Sequence, residues 1–489
     1  MPHPILEIDE LLRLVVDALV ETSPRSAVSF AITCRSLEEL TLCSLWKKQW
    51  SLTHLMKVLP AHTWVQDWRG ISLVSGYNFS ADCIRYKFPQ VIEHDPSTED
   101  WARLQRYASW MRGLHLGSYG KLSDNTLHQL SSNSPGGVLF PRLKWLCWDV
   151  HETSITPTFF RLFLSPHLKR VILCSYEFSD IPSGQLAGLV QIISFLPTSI
   201  EDLTISCGRG DEEPLKDVIS SFLCRSGSSL RRFHSNLPLS EAAIHHLMQL
   251  PHLCSWVIVQ GVPRTISPSI LPPLEKIHLR EQVALPWLRL IASQEEGVLQ
   301  NGSTPTTSHT NIRETLRSLI CPGNTIIDST FLSSILKFRN LVTLYVNAHC
   351  YGVEGCIFHL TDDGVENLAA TLCRLKSLRL GQICGSNSCN TTIASLLSIS
   401  VHCLDLTFLE THFNTLTIVG DIQRLLDGGS GDGNTKCGLP ELVVGCLPLE
   451  VRGEDIETIV AGFKAIFPCL TNFVDDEGHW YELRSKLRD

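Results

Sequence analysis

Cys350, Cys356 and His359 lie close together in the chain, and Cys384 and Cys389 follow. Thiolates and an imidazole are zinc ligands. A zinc site needs four of them converging tetrahedrally, usually with one tight Cys-x-x-Cys pair. That pair is missing, and buried thiols are the better account of these residues. A metallo- or thiol enzyme built on this cluster is the rival reading, which metal analysis of purified protein separates from the others. His245 and His246 cannot serve one ion from a helix, because neighbouring side chains point about 100° apart. The carboxylate pairs Asp362-Asp363 and Asp475-Asp476 sit where helix starts and turns are expected, and capping and solvation explain them. No phosphate-binding loop, nucleophile elbow, HExxH or dinucleotide fingerprint occurs. The residues offer no catalytic set and call for no cofactor, so the expectation is a chain that binds rather than reacts.

The elements that would carry binding residues follow from length and pattern. At 489 residues the chain is long for one globular core and suits an extended repeat array. A hydrophobic share of 44% with 19% charged residues places it among folded proteins. The net charge is −9 and no basic block occurs, which argues against nucleic acid as a partner. Asp9, Glu10 and Asp17 interrupt the first apolar run, so it reads neither as a signal peptide nor as a membrane span. The 18 cysteines contain no CxxC and read as reduced, buried, small apolar side chains. The expected location is cytoplasmic, nuclear or both, away from membranes.

From Met111 onward the chain repeats an L-x-x-L-x-L pattern with conservative swaps. Instances include Met111-Leu114-Leu116, Leu143-Leu146-Trp148, Leu168-Val171-Leu173, Leu274-Ile277-Leu279, Leu375-Leu378-Leu380, Val401-Leu404-Leu406 and Leu470-Phe473-Asp475. Helix-like segments fall between several of them, opened by residues such as Ser240 and Thr361 that can cap free N–H groups. A short strand and a helix alternating at this period predict a leucine-rich-repeat solenoid over 111–489, a curved parallel sheet with outer helices. Polar segments at 293–311 and 427–436 read as inserted loops, and the charged, aromatic tail reads as a cap. An α/β domain with a parallel sheet is the alternative built from the same elements.

Ahead of the repeats, Ile8, Leu11, Leu12, Val15, Val16 and Leu19 keep helical spacing, and Leu14 and Ala18 widen the apolar stripe. Ser23-Pro24 predicts the start of a second helix carrying Ala27, Val28, Ala31 and Ile32, with Ser23 as its cap. A third helix begins near Arg35, and Leu45-Trp46 closes the unit. Three helices in so few residues bury little by themselves and must lean on something else. The DELL at 9–12, Val15-Val16, Leu19, Pro24, Cys34-Arg35-Ser36-Leu37 and Ser44-Leu45-Trp46 resemble the F-box, the adaptor-binding module of Skp–cullin–F-box ubiquitin ligases. The DW-x-R-L-x-x-Y-A segment at 100–108 is similar to the stretch after the F-box in a large fungal family of F-box proteins.

That resemblance implies an F-box-like module over 1–50 and a helical, aromatic region over 51–110 that packs on the repeats. It implies docking on a Skp-family adaptor, and through it on a cullin, by Leu11, Leu12, Val15, Pro24, Leu45 and Trp46. The chain would then be a non-catalytic substrate-recognition subunit. A repeat scaffold without a ligase role, its N-terminal helices merely capping the array, is the alternative. The capture surface follows from strand alternation, since the third, fifth and seventh positions of each repeat point away from the core. These positions supply Arg170, Arg232, His234, Lys276, His278, Arg280, Tyr345 and Arg379, with Asp149, Asp202, Asp405, Glu441 and Asp476 towards the ends. The expected target is a protein segment that is acidic or phosphorylated.

Overall fold

The computed structural model describes residues 9–33, 35–66, 90–116, 122–149, 157–174, 183–207, 212–225, 229–259, 272–280, 283–292, 312–321, 327–347, 359–381, 390–411, 413, 417–427, 437–444, 453–475 and 481–488. They form two compact units, Met1–Ala243 and Ile244–Asp489.

The first unit opens with three helices, α1 (Asp9–Thr22), α2 (Pro24–Ala31) and α3 (Arg35–Trp46). Their core is small: Leu12, Val16 and Leu37 are buried together, with Val20, Phe30 and Leu40 packed around them. Ser23 does not cap α2 as expected. Its hydroxyl pairs with the Ser26 hydroxyl at 2.7 Å and makes no cap bond, so Pro24 alone sets the helix start. Asp17 of α1 ties the helices together, accepting from Lys47 Nζ at 2.8 Å and from the Ser44 hydroxyl. Burial raises the Asp17 pKa, but the hydrogen bonds from Lys47 and Ser44 outweigh it and leave the carboxyl below its ordinary value. A lowered native pKa stabilises the fold above the unfolded value, and that contribution is lost as pH falls through the native value. The protection of the α1 amides, measured relative to their intrinsic exchange at each pH, is therefore expected to fall below about pH 4, by a modest factor because the pair is half exposed. Asp17→Asn should remove that pH dependence.

The strand β1 (Lys48–Gln49) and the short helix α4 (Thr53–Met56) follow, then an antiparallel pair of β2 (Trp64–Gln66) with β3 (Gln90–Ile92). The helix α5 (Thr98–Trp110) starts with a full capping box. Ser97 Oγ accepts from the Asp100 N–H at 3.2 Å, and the Asp100 carboxylate accepts from the Ser97 N–H at 3.1 Å. Then come β4 (Gly113–Leu116), β5 (Trp145–Asp149), β6 (Arg170–Cys174), β7 (Asp202–Ser206) and β8 (Arg232–Ser235). Helical segments separate them: α6 (Asp124–Ser132), a 3-10 stretch at Pro157–Phe163, α7 (Ser183–Phe195) and α8 (Glu212–Arg225). The sheet order is β1-β4-β5-β6-β7-β8, every pair parallel. Leu114, Leu146, Val171, Leu203 and Phe233 fall in register and are all buried. This is why the fourth position of each repeat must be apolar. At Ser235 a polar residue takes the last inward position of its repeat and is buried too, its hydroxyl accepting from the Leu237 N–H at 3.0 Å.

The helix α9 (Glu241–Gln249) has Ser240 Oγ accepting from the Ala243 N–H at 3.3 Å. The sheet of the second unit runs through β9 (Ser255–Ile258), β10 (Lys276–Leu279), β11 (Ser318–Cys321), β12 (Thr343–Val346), β13 (Ser377–Leu380), β14 (Phe408–Thr411), β15 (Glu441–Val444) and β16 (Asn472–Asp475). All neighbours are again parallel. Helices cross between them: α10 (Ala284–Ala292), α11 (Ile312–Thr315), α12 (Ser329–Ile335), α13 (Asp362–Thr371), α14 (Ile393–His402), α15 (Ile418–Asp427), α16 (Gly453–Ile466) and α17 (Tyr481–Arg488). Each unit is thus a stretch of leucine-rich-repeat-like solenoid. No helix among the described residues is long and apolar enough to cross a membrane.

Two repeats differ from the expected frame. β1 adds a strand ahead of Met111, Lys48 lying in register with Gly113. The unit read as Val401-Leu404-Leu406 is displaced: the strand is Phe408–Thr411, in register with Ser377–Leu380. Val401 belongs to α14 and Leu404 to the turn after it, and both are exposed. Leu406, Leu409 and Thr411 fill the three inward slots instead, and all are buried. Asp405 therefore sits in the turn and not on the strand face.

The segment 293–311 lies outside the described residues, between Ala292 at the end of α10 and Ile312 at the start of α11. Loop closure changes only logarithmically with length. Replacing the segment with a short Gly-Ser linker is therefore expected to leave the melting temperature of the full chain within a few degrees. A loss of cooperativity would make the segment structural.

Candidate functional site

The described cysteines are free, but not uniformly buried as expected. Cys147, Cys174, Cys207, Cys321, Cys403 and Cys437 are buried, whereas Cys224, Cys373 and Cys469 are exposed. Burial pushes the thiols of Cys207 and Cys403 up to about 12 and that of Cys321 higher still. Such thiols stay protonated and are poor nucleophiles and ligands. Cys350, Cys356, Cys384 and Cys389 lie outside the described residues, and His359 is exposed. Among the described residues no three His, Cys, Asp or Glu side chains gather as a metal site.

Two surfaces have the residues for binding. On the helical module, α1 and α2 turn Leu11, Leu14, Val15, Val28 and Ile32 to solvent, with Leu14 at 66% and Ile32 at 81% exposure. Scattered apolar side chains need no explanation, but Leu11, Leu14 and Val15 share one face of α1 and Val28 and Ile32 share one face of α2, so each helix presents an uncovered apolar strip. Of the sequence candidates, Leu11, Val15 and Pro24 are exposed, while Leu12 is buried in the module's own core. Leu45 and Trp46 are half-buried, the Trp46 ring lying 4.9 Å from that of Tyr107 on α5. Of the apolar residues the sequence places on the second helix, Ala27 and Ala31 are buried and Val28 and Ile32 are exposed. α2 buries Ala27 and Ala31 and packs Phe30 against the core, which leaves Val28 and Ile32 on its open side.

The second surface is the outward side of the strands. In the first unit, Arg170, Asp202 and Arg232 stand in one row across β6, β7 and β8. Asp202 is buried and takes both guanidiniums, Arg170 Nε at 3.0 Å and Arg232 Nε at 2.9 Å, so two cations share one anion. His234 is half-buried beside them. In the second unit, Arg379 lies beside both Tyr345 and Phe408, its guanidinium 5.3 Å and 5.9 Å from ring centroids that are themselves 6.4 Å apart. Its Nη2 bonds Glu410 Oε2 at 2.7 Å, and Tyr345 Oη pairs with Ser377 Oγ at 2.9 Å. Glu410, the buried partner that neutralises Arg379, was missed because the displaced repeat frame put Asp405 on this face. Lys276 and Arg280 are exposed, with no ion pair among the described residues, and His278 is half-buried between their positions. Asp149 and Asp476 lie outside the described side chains, and Glu441 is half-buried. Three of the Arg residues on the outward side of the strands, Arg170, Arg232 and Arg379, already have carboxylates.

No protein-family model matches the chain, and no curated protein matches it either. Among solved structures, the chain is similar to the leucine-rich repeat-containing protein LegL7 from Legionella pneumophila, with 13% identity and a TM-score of 0.35 over 70% of this chain and 97% of that one. An overlap of that quality adds nothing to what the strand register establishes.

Proposed function

We propose that the chain is a non-catalytic target receptor of a ubiquitin ligase. Its three N-terminal helices dock on a Skp-family adaptor, and through it on a cullin, while the strand face captures a protein target. One observation carries this reading: a helical unit with the residue pattern of an F-box holds a core of its own and yet leaves Leu11, Leu14, Val15, Val28 and Ile32 uncovered. Burying such a patch on a partner is the main source of association free energy available to so small a unit. The repeats supply what a receptor needs besides a dock, rows of outward side chains on successive parallel strands. The test is co-purification of the full chain with a Skp-family adaptor. Recovery of a stoichiometric complex supports the reading, and its failure with folded protein leaves a repeat scaffold whose N-terminal helices serve another role.

A further inference from the structure

We draw no further inference here: the strongest candidate, the half-buried cluster of Tyr345, Arg379 and Phe408 on the outward side of the second unit's sheet, belongs to the capture surface already described, and nothing in the structure shows what covers it.

Discussion

In a Leu11→Asp/Val15→Asp variant, recovery of the Skp-family adaptor in a pull-down is expected to fall at least about a hundredfold, while the rest of the chain melts as in the wild type. Leu11 is 39% and Val15 49% exposed in the free chain and neither belongs to the cluster of Leu12, Val16 and Leu37, so the substitutions leave the module's core in place. In the complex each would lose the burial of the part still exposed, roughly half of the 1.5–3 kcal/mol of a whole aliphatic side chain, and would place a charge against an apolar partner at a further cost on the order of several kcal/mol. Two such losses exceed the roughly 2.7 kcal/mol that a hundredfold change in Kd requires. The choice of residues matters. Leu12→Asp would also abolish binding, but by destroying the cluster of Leu12, Val16 and Leu37, and so would say nothing about the interface. Trp46→Ala would loosen the junction with Tyr107 for the same uninformative reason. Undiminished recovery by the folded Leu11→Asp/Val15→Asp variant would sink the assignment of α1 as the dock.

The difference between Leu11 and Leu12 shows where sequence reasoning stops. Helical spacing puts both in one broad apolar stripe, and periodicity alone cannot say which edge faces a neighbour in the chain and which faces a partner. Only the positions of α2 and α3 decide that. The parallel strands were legible because Leu, Ile, Val and Phe recur at the fourth position of each repeat, and the register aligns those residues from strand to strand. The ion pairs were not legible. Asp202 is some 30 residues from both Arg170 and Arg232, and only the stacking of three successive repeats makes one carboxylate serve two guanidiniums. The contact between Trp50 and Trp145 at the β1 end of the first sheet is illegible for a related reason. β1 is two residues long and carries no L-x-x-L-x-L pattern, so nothing in the sequence joins Trp50 to Trp145.

Leu409→Ala is expected to destabilise the second unit by about 2–5 kcal/mol, and Leu404→Ala by no more than about 0.5 kcal/mol. The sequence pattern implies the opposite, since Leu404 completes an L-x-x-L-x-L string with Val401 and Leu406. The string is an accident of composition. α14 runs on to His402, so Val401 is still helical, and the chain turns at Leu404-Asp405 before the strand begins. Leu404 is left 48% exposed while Leu409 is fully covered. Leu409 is in register with Leu378 on one side and Leu442 on the other, both buried. Truncating it opens a cavity in a stack that neighbouring repeats cannot close without shifting their own strands, and the cost stays near the upper part of the range for Leu→Ala. In a solenoid such a defect acts chiefly on the adjoining repeats, so the urea midpoint of the second unit, followed by circular dichroism, is the quantity to measure. Equal midpoints for Leu409→Ala and wild type, or a large loss for Leu404→Ala, would restore the frame at 401–406. That result would also move Glu410 off the face where it meets Arg379.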